Sequence, residues 1–282
     1  MAQPAGLSGK TRLAIVIGDP VRHSLSPVIH NAAFAACGLD WVFLACEVPE
    51  GRVPDALAGA VALGIEGLSV TMPHKAAVAA AVDELSPAAR LLGAVNCVAR
   101  HGDRLVGHNT DGGGFVDALA DEAGWSPAGT RCVVLGAGGA ARAVTLALAD
   151  AGAAEVAVVN RTAPNAVTAA ALAGDRGRVA EPGEVGGFDL VVNATPVGMR
   201  GHRGAPMPLD PGLLRPDQLL VDLVYEPAET ALLAAARERG LRAFNGVRML
   251  VHQAARAFEL WTGTDAPIDA MVAATKQALA RR

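Results

Sequence analysis

Short apolar runs alternate with stretches of helical character along this chain. The runs with the length and residue types of buried β-strands lie at 41–48, 67–71, 131–135, 155–159, 190–193 and 219–224. Helices are predicted to begin at Ser26-Pro27, Pro54 and Ser86-Pro87 and to end at Gly38, Gly64 and Gly93, and two more cover 247–260 and 268–280. This β-then-α order is typical of parallel strands covered by helices, so an α/β fold is predicted.

Length and turn signals predict two domains. The 282 residues exceed what one small core needs and suit two medium domains. The triple glycine at 112–114 and a turn at 125–129 interrupt the first series of strands and helices. We therefore place a boundary near residue 112 and expect a second βα series after it.

Composition and charge narrow the class of partner. Apolar residues make up 51% of the chain and charged residues 18%, so burial can outweigh chain entropy. The 24 basic and 28 acidic residues are interspersed and give a net charge of −4, which argues against nucleic acid or an anionic membrane as the main partner. A small-molecule ligand is therefore expected.

Apolar run lengths and cysteine spacing predict where the protein is located and the redox state of its cysteines. The apolar run at 13–17 is too short for a signal-peptide core, and no run approaches the roughly 18 apolar residues of a membrane span, so we expect a cytoplasmic protein without a membrane partner. The cysteines lack C-x-x-C spacing and predict reduced, buried thiols rather than a metal or dithiol site. They are Cys37, Cys46, Cys97 and Cys132.

A glycine-rich segment directly follows the apolar run at 131–135. It reads Gly136-Ala137-Gly138-Gly139-Ala140-Ala141 and precedes a helical stretch at 142–150. In this G-x-G-x-x-G/A pattern the first glycine permits a tight turn, and the second lets backbone N–H groups approach a pyrophosphate at the helix N-terminus. An ordinary glycine-rich turn is the alternative, but the strand before it and the helix after it favour a dinucleotide site.

The residues after the run at 155–159 bear on which dinucleotide binds. Asn160-Arg161-Thr162 stands where an enzyme that binds NAD would usually carry an acidic residue. The Arg161 guanidinium can instead pair with the 2′-phosphate of NADP, while Asn160 and Thr162 add neutral hydrogen bonds. NADP is therefore predicted, and the alternative is that Arg161 is a solvated surface side chain.

Lys75 and Asp111 are the candidate catalytic residues. Lys75 falls in the first turn of a predicted helix, where a cation opposes the helix dipole, and Asp111 ends a turn segment at 107–111. Reduction of a ketone by NADPH requires a proton at the resulting oxygen. If the two residues face each other in a cleft, Lys75 can deliver that proton, and Asp111 can orient the amine and bind a substrate hydroxyl.

Further polar side chains lie at predicted strand ends or helix starts, where open α/β sheets bind ligands. They are Ser24, Ser26, Thr71, Asn96, Asn109 and Thr110. Their hydroxyls and amides suit a polyhydroxylated ring. Simpler interpretations stay open, because Ser26 and Asp111 can be helix caps and Asn96 can hold a turn.

Ordered motifs extend over nearly the whole chain. In chain order they are Gly18-Asp19-Pro20, His23-Ser24-Leu25-Ser26-Pro27, Val70-Thr71-Met72-Pro73-His74-Lys75, Gly93-Ala94-Val95-Asn96, Asn109-Thr110-Asp111-Gly112, the glycine-rich segment, Asn160-Arg161-Thr162, Asn193-Ala194-Thr195-Pro196-Val197-Gly198-Met199, Asp222-Leu223-Val224-Tyr225, Asn245-Gly246 and Met249-Leu250-Val251-His252-Gln253-Ala254. Together they resemble the shikimate dehydrogenase family closely.

The resemblance implies a substrate-binding domain over 1–111, a Rossmann-type NADP-binding domain over 112–246, and C-terminal helices over 247–282 that return to the first domain. It implies reversible NADPH-dependent reduction of 3-dehydroshikimate to shikimate, in the route to chorismate and the aromatic amino acids. Lys75 and Asp111 would form the catalytic pair. Substrate contacts would come from Ser24, Ser26, Thr71, Asn96, Tyr225 and Gln253, and cofactor contacts from Gly136, Ala137, Gly138, Gly139, Ala140, Asn160, Arg161, Thr162, Thr195, Leu223 and Gly246.

A few positions depart from the family pattern. Cys97 stands where threonine is common, Arg248 where glycine is frequent, and Asn165 where a basic residue often helps to hold the 2′-phosphate. The alternatives are a quinate/shikimate dehydrogenase with relaxed use of NAD and NADP, and a non-catalytic NADP(H)-responsive regulatory protein on the same fold. Monomer and homodimer both stay open.

Overall fold

The computed structural model describes residues 7–201 and 207–282. Contacts divide the chain into two compact units. The N-terminal unit comprises the described residues up to Thr110 together with Val251–Arg282, and the central unit comprises Asp111–Leu250. The chain therefore leaves the N-terminal unit at Thr110 and returns to it at Val251.

Strands and helices alternate through both units. The strands are β1 Arg12–Gly18, β2 Trp41–Glu47, β3 Gly67–Val70, β4 Glu84–Leu85, β5 Cys97–His101, β6 Arg104–His108, β7 Arg131–Leu135, β8 Glu155–Val159, β9 Gly177–Val179, β10 Leu190–Asn193, β11 Leu219–Asp222 and β12 Arg242–Asn245. The helices are α1 Ser26–Ala36, α2 Val53–Ala62, α3 Lys75–Ala79, α4 Pro87–Leu92, α5 Asp111–Ala123, α6 Gly139–Asp150, α7 Ala163–Ala170, α8 Ala231–Glu238, α9 Val247–Thr262 and α10 Ile268–Leu279.

The sheet of the N-terminal unit has the order β2-β1-β3-β5-β6-β4 and is mixed. β1 pairs in parallel with β2 and β3, and β4 with β6, whereas β5 is antiparallel to both β3 and β6. The prediction of parallel strands is therefore wrong for β5. The physical reason is the connection between β5 and β6, a two-residue turn that begins at Gly102 with a φ of 65° and allows the chain to reverse without a helix.

Trp261 of α9 anchors the C-terminal helices to the sheet of the N-terminal unit. Its indole Nε1 donates a hydrogen bond to the carbonyl of Val98 in β5 at 2.9 Å. Gly67 in β3 leaves room for the ring, because a Cβ at this position would lie 2.4 Å from the indole. Phe34 and Phe258 pack nearby with tilted rings whose centroids are 5.5 Å apart. This contact explains why the chain after Val251 belongs to the N-terminal unit.

The sheet of the central unit is parallel throughout, with the order β12-β11-β10-β7-β8-β9. Counted from β7 as the first strand, this is the 3-2-1-4-5-6 order of the dinucleotide-binding fold, and the order reverses between β7 and β10. Phe115 of α5 and Val144 of α6 pack on one face of the sheet, and Leu232 and Leu233 of α8 pack on the other. Both faces are covered, as a parallel sheet requires.

Within the described residues, no helix is long and apolar enough to cross a bilayer. The same residues contain no group of three or more side chains placed to hold a metal ion. All four cysteines are free thiols; Cys97 and Cys132 are buried, and Cys37 and Cys46 are half-buried, so the prediction of buried thiols is right for two of them. Burial raises the pKa of Cys132 to about 12.

Candidate active site

The glycine-rich segment forms the turn between β7 and α6. Gly136 has a φ of 110°, a conformation that side chains rarely adopt, and a Cβ there would lie 3.0 Å from the carbonyl oxygen of Ala194. Gly138 caps α6 and Gly139 is its first residue. A Cβ at either position would meet no described atom within 4 Å. The backbone at the N-terminus of α6 is thus open enough for an anionic group to approach.

The residues predicted to bind the cofactor follow the strands of the central sheet. In order of position they are Gly136 after β7, Asn160 after β8, Thr195 after β10, Leu223 after β11 and Gly246 after β12. Because these strands are parallel, all of them lie at the same edge of the sheet, at its carboxyl ends. That edge is where sheets of this order bind dinucleotides.

At this edge of the sheet, the backbone of Gly246 lies very near the carbonyl of Leu223. A Cβ at Gly246 would lie 2.1 Å from the carbonyl oxygen of Leu223, and the Gly246 amide donates to the carbonyl of Val224 at 3.2 Å. The Leu223 amide in turn donates to the carbonyl of Asn193 at 2.9 Å. The glycine is therefore required by the close packing of the segment that carries Leu223.

Asp222, at the end of β11, is a buried carboxylate that the sequence did not single out as a site residue. Its carboxylate has no solvent exposure and accepts hydrogen bonds from Asn193 Nδ2 at 2.8 Å, the Val224 amide at 3.1 Å and Thr230 Oγ1 at 2.6 Å. Burial raises the pKa of Asp222. Asn193 Oδ1 in turn accepts from the amide of Thr195 at 3.0 Å and from its hydroxyl at 2.7 Å.

The predicted 2′-phosphate contacts lie between β8 and α7. Asn160 Nδ2 donates to the carbonyl of Thr162 at 3.0 Å, and Thr162 caps α7 through its backbone. Arg161 and Asn165 are exposed, and Arg161 forms no ion pair with any described residue. An exposed, unpaired guanidinium at this edge is compatible with both interpretations of Arg161, as a phosphate ligand and as a surface side chain.

Lys75 is the first residue of α3, as the sequence predicts, but that helix has only five residues. The dipole argument is correspondingly weaker than for a long helix. The position of Lys75 is nevertheless well defined. Buried His74 contacts the carbonyl of Val48 through Nε2 at 2.7 Å, and the Lys75 carbonyl accepts from the Val95 amide at 2.9 Å. The Lys75 backbone is therefore hydrogen-bonded to the residue that directly precedes Asn96.

Asn96 and Gln253 are brought together by Thr110. The Thr110 hydroxyl accepts a hydrogen bond from Asn96 Nδ2 at 2.9 Å and donates one to the main-chain carbonyl of Gln253 at 2.9 Å. The main-chain amide of Thr110 donates to Asn96 Oδ1 at 2.7 Å. Asn96 Nδ2 also approaches Gln253 Oε1 at 3.4 Å. Thr110 is buried, with 5% exposure. The sequence placed Thr110 in a polar cluster but gave no reason to assign it this bridging role.

Ser24 and Ser26 lie at the start of α1. Ser26 is the first helical residue, Leu25 precedes it without a side-chain cap, and the Ser26 amide donates to Ser24 Oγ at 3.2 Å. The helix-cap interpretation of Ser26 is therefore wrong. Both serines are half-buried, and Thr71, which follows β3, is half-buried as well. All three belong to the N-terminal unit.

Asp111 and Tyr225 belong to the central unit. Asp111 opens α5 directly after Thr110 and is 8% exposed, whereas Tyr225 is half-buried after β11. The approach of Asp111 to Lys75, and of Tyr225 to the substrate contacts, stays a prediction.

Two family models and a relative of similar length match this chain. The family model described as the shikimate dehydrogenase substrate binding domain matches residues 16–98, and that of the shikimate 5′-dehydrogenase C-terminal domain matches residues 246–276. A shikimate dehydrogenase (NADP(+)) from Moorella thermoacetica is 46% identical over 283 residues, which cover 97% of this chain and 95% of the relative. The chain belongs to the shikimate dehydrogenase family.

Solved structures of proteins related to the shikimate dehydrogenase family share the fold. A crystal structure of a shikimate dehydrogenase in complex with NADP+ has a TM-score of 0.93 at 35% identity and covers 99% of both chains. A quinate dehydrogenase from Corynebacterium glutamicum in complex with NAD has a TM-score of 0.88 at 32% identity and covers 95% of this chain and 99% of its own. The predicted α/β fold, with a substrate domain and a Rossmann-type domain, is confirmed.

Proposed function

We propose that this chain is an NADP-dependent oxidoreductase that catalyses the reversible reduction of 3-dehydroshikimate to shikimate, in the route to chorismate and the aromatic amino acids. The observation that supports this proposal most directly is the position of Lys75. Its main-chain carbonyl accepts a hydrogen bond from the amide of Val95, the residue before Asn96 at the end of the N-terminal sheet. A lysine held beside a hydrogen-bonded amide cluster suits proton transfer to a hydroxylated ring.

The central unit fits NADP. Gly136 makes the tight turn before α6, Gly138 and Gly139 leave open backbone at its N-terminus for the pyrophosphate, and exposed Arg161 offers a bidentate donor for the 2′-phosphate. Thr195, Leu223 and Gly246 are assigned to the nicotinamide end, and Ala137, Ala140, Asn160 and Thr162 complete the set. When bound, NADPH supplies the hydride for the carbonyl carbon.

Lys75 and Asp111 are assigned the proton chemistry. In the direction of reduction, the Lys75 ammonium donates a proton to the oxygen that was the ketone oxygen. Asp111 accepts a hydrogen bond from the amine and another from a ring hydroxyl, which orients both. In the direction of oxidation, neutral Lys75 takes the proton back from the shikimate hydroxyl.

The remaining polar residues are assigned to the ring and its carboxylate. Ser24, Ser26, Thr71 and Tyr225 bring hydroxyls, and Asn96 and Gln253 bring amides that can both donate and accept. The network around Thr110 fixes the orientation of both amides within the N-terminal unit. A site whose polar groups are already oriented binds a polar ring with less loss of side-chain entropy.

A quinate/shikimate dehydrogenase that also accepts NAD is the second candidate. The fold of this chain is shared with a quinate dehydrogenase bound to NAD, and exposed Asn165 leaves Arg161 without a neighbouring cation at that helix. The third candidate, an NADP(H)-responsive regulator without activity, is disfavoured because the chain keeps both Lys75 and Asp111. Cytoplasmic location and a monomeric or homodimeric state complete the proposal.

The test is a comparison of kcat/KM for shikimate and quinate, each oxidised with NADP+ and with NAD+. The proposal expects shikimate with NADP+ to give the highest value of the four combinations. Equal or higher values for quinate or for NAD+ would favour the second candidate. Tight binding of NADPH without turnover of either acid would favour the regulator.

A further inference from the structure

The reaction proposed above leaves one buried charged group without a role. Asp222 is fully buried at the carboxyl end of β11, and its donors come from different parts of the central unit. Asn193 ends β10, Val224 follows β11, and Thr230 caps α8. The carboxylate therefore connects the segments that follow two adjacent strands, at the edge where the cofactor residues lie.

We propose that Asp222 is a positioning residue for the nicotinamide end of the cofactor site. It acts on Thr195 through Asn193, and on Leu223 through the backbone on either side of that residue. This inference rests on the proposed function, because Thr195 and Leu223 matter here only if the central unit binds NADP.

The hydrogen bonds toward Thr195 have a fixed direction. Asn193 Nδ2 donates to Asp222 Oδ1, which leaves Asn193 Oδ1 as the acceptor for the Thr195 amide and hydroxyl. The Thr195 hydroxyl then accepts from the Val197 amide at 3.2 Å, so the bonds extend along the loop. Were the Asn193 amide reversed, its NH₂ group would face the two Thr195 donors. An acceptor-only group at Asp222 thus selects the loop conformation.

The bonds toward Leu223 involve the backbone. Asp222 Oδ1 accepts the Val224 amide at 3.1 Å, and the Leu223 amide between them donates to the Asn193 carbonyl at 2.9 Å. Leu223 is thereby held on both sides while its own side chain stays half-buried. Gly246 packs so near the Leu223 carbonyl that a Cβ at position 246 would lie 2.1 Å from its oxygen.

An amide at position 222 cannot reproduce this pattern. The carboxylate oxygens face three donors, with the Thr230 hydroxyl at 2.6 Å from Oδ2. In an Asp222→Asn variant one of these oxygens becomes an NH₂ group. It must face either Thr230, whose hydroxyl already accepts the Leu233 amide at 3.2 Å, or the donors from Asn193 and Val224. Either arrangement leaves a buried donor without an acceptor.

The opposite end of β11 provides a matched control. Gln218 precedes the strand, is 2% exposed, and donates to the carbonyls of Val185 at 2.8 Å and Phe188 at 2.7 Å. Replacing it with methionine removes buried hydrogen bonds from the same unit, at the edge away from the cofactor residues. A loss of stability alone therefore affects Gln218→Met and Asp222→Asn alike, whereas a loss of cofactor positioning affects only the second.

The experiment measures NADPH dissociation constants by fluorescence, KM for shikimate at saturating NADP+, and thermal unfolding for the wild type and four variants. We expect Asp222→Asn and Thr230→Val to raise the Kd for NADPH by about tenfold or more with an unchanged KM for shikimate. Thr230→Ser, which keeps the hydroxyl, should restore the wild-type Kd. Gln218→Met should unfold at lower temperature with a wild-type Kd.

Distinct results overturn the inference and the proposed function. A wild-type Kd in Asp222→Asn and Thr230→Val would overturn the inference, as would an equal rise in Kd for Gln218→Met. If Asp222→Asn does not fold, the comparison of Thr230→Val with Thr230→Ser decides by the same criterion. A wild-type protein that binds no NADPH would instead refute the proposed function.

Discussion

Replacing Thr110 with valine should weaken substrate binding while leaving cofactor binding intact. Valine has nearly the same shape, so the change removes the hydroxyl with little effect on packing. The contacts of this hydroxyl are lost: the hydrogen bond accepted from Asn96 Nδ2 at 2.9 Å, the one donated to the Gln253 main-chain carbonyl at 2.9 Å, and the longer contact with Asn96 Oδ1 at 3.3 Å. The bond from the Thr110 amide to Asn96 Oδ1 remains.

The expected loss of stability depends on which hydrogen bonds remain to Asn96 and to the Gln253 main-chain carbonyl. The Gln253 carbonyl lies inside α9, where it can also accept the amide of the next helical turn, so its loss is small. Asn96 Nδ2 loses its 2.9 Å contact with the Thr110 hydroxyl while its contact with Gln253 Oε1 at 3.4 Å remains, and Asn96 is 4% exposed. A lost intramolecular hydrogen bond costs about 0.5–1.5 kcal/mol, so we expect a loss of about 1–2 kcal/mol in the free energy of unfolding.

Substrate binding should change because the Asn96 side-chain amide loses its contact with the Thr110 hydroxyl, and the Gln253 side-chain amide contacts Asn96. We expect KM for shikimate to rise by up to about tenfold, equivalent to about 1.4 kcal/mol, with an unchanged Kd for NADPH. Thr275→Val is the matched control, since it removes a buried hydroxyl that donates to the Met271 carbonyl at 2.7 Å within α10 of the same unit. An unchanged KM in Thr110→Val, or an equal rise in Thr275→Val, would refute the reasoning.

Three further predictions concern other parts of the chain. Burial lowers the pKa of His30 to about 3, so below about pH 6.5 the unfolded state binds a proton that the folded state does not. As the pH falls from about 6.5 to about 3, the free energy of unfolding of the wild type should therefore decrease relative to that of His30→Phe by up to about 1.4 kcal/mol per pH unit. Urea unfolding measures this difference. A parallel pH dependence in both proteins would contradict this. Arg161→Ala should raise KM for NADP+ by about tenfold or more and leave KM for NAD+ unchanged, and Asn165→Arg should lower KM for NADP+; equal effects on both cofactors would show that Arg161 does not contact the 2′-phosphate. Gly246→Ala should raise the Kd for NADPH, because the added Cβ would lie 2.1 Å from the Leu223 carbonyl, and a wild-type Kd would show that the Leu223 segment can move without consequence.

The central sheet could be predicted because its strands are buried on both faces. The runs at 131–135, 155–159 and 190–193 are apolar except for one polar residue at an end of each, and they coincide with β7, β8 and β10. The glycine-rich segment then fixed the position of α6. Predicted ends were less accurate at β11, where residues 223 and 224 are apolar but lie outside the strand.

The N-terminal sheet was harder to predict because its last strands are short and only partly apolar. β5 and β6 each have five residues, and β4 has two. The signal that was available is Gly102-Asp103 between two short runs, which is typical of a hairpin turn. Read in that way, it would have indicated the antiparallel pairing.

The candidate site was predictable as a set of residues but not as a network. Asn96 and Gln253 are 157 positions apart, and local patterns carry no information about which distant residues meet. Asp222 ends an apolar strand, and the sequence alone does not distinguish a strand-end carboxylate that faces solvent from one that is buried. Both networks depend on tertiary packing, which explains why Thr110 and Asp222 were missed as bridging groups.

The central claim is that Lys75 transfers the proton at the substrate oxygen. The most direct measurement is kcat for shikimate oxidation by NADP+ in Lys75→Ala, with the Kd for NADPH measured on the same preparation. The account predicts a kcat lower by about 10²-fold or more and a wild-type Kd. A wild-type kcat in a protein that lacks the Lys75 amine would contradict it.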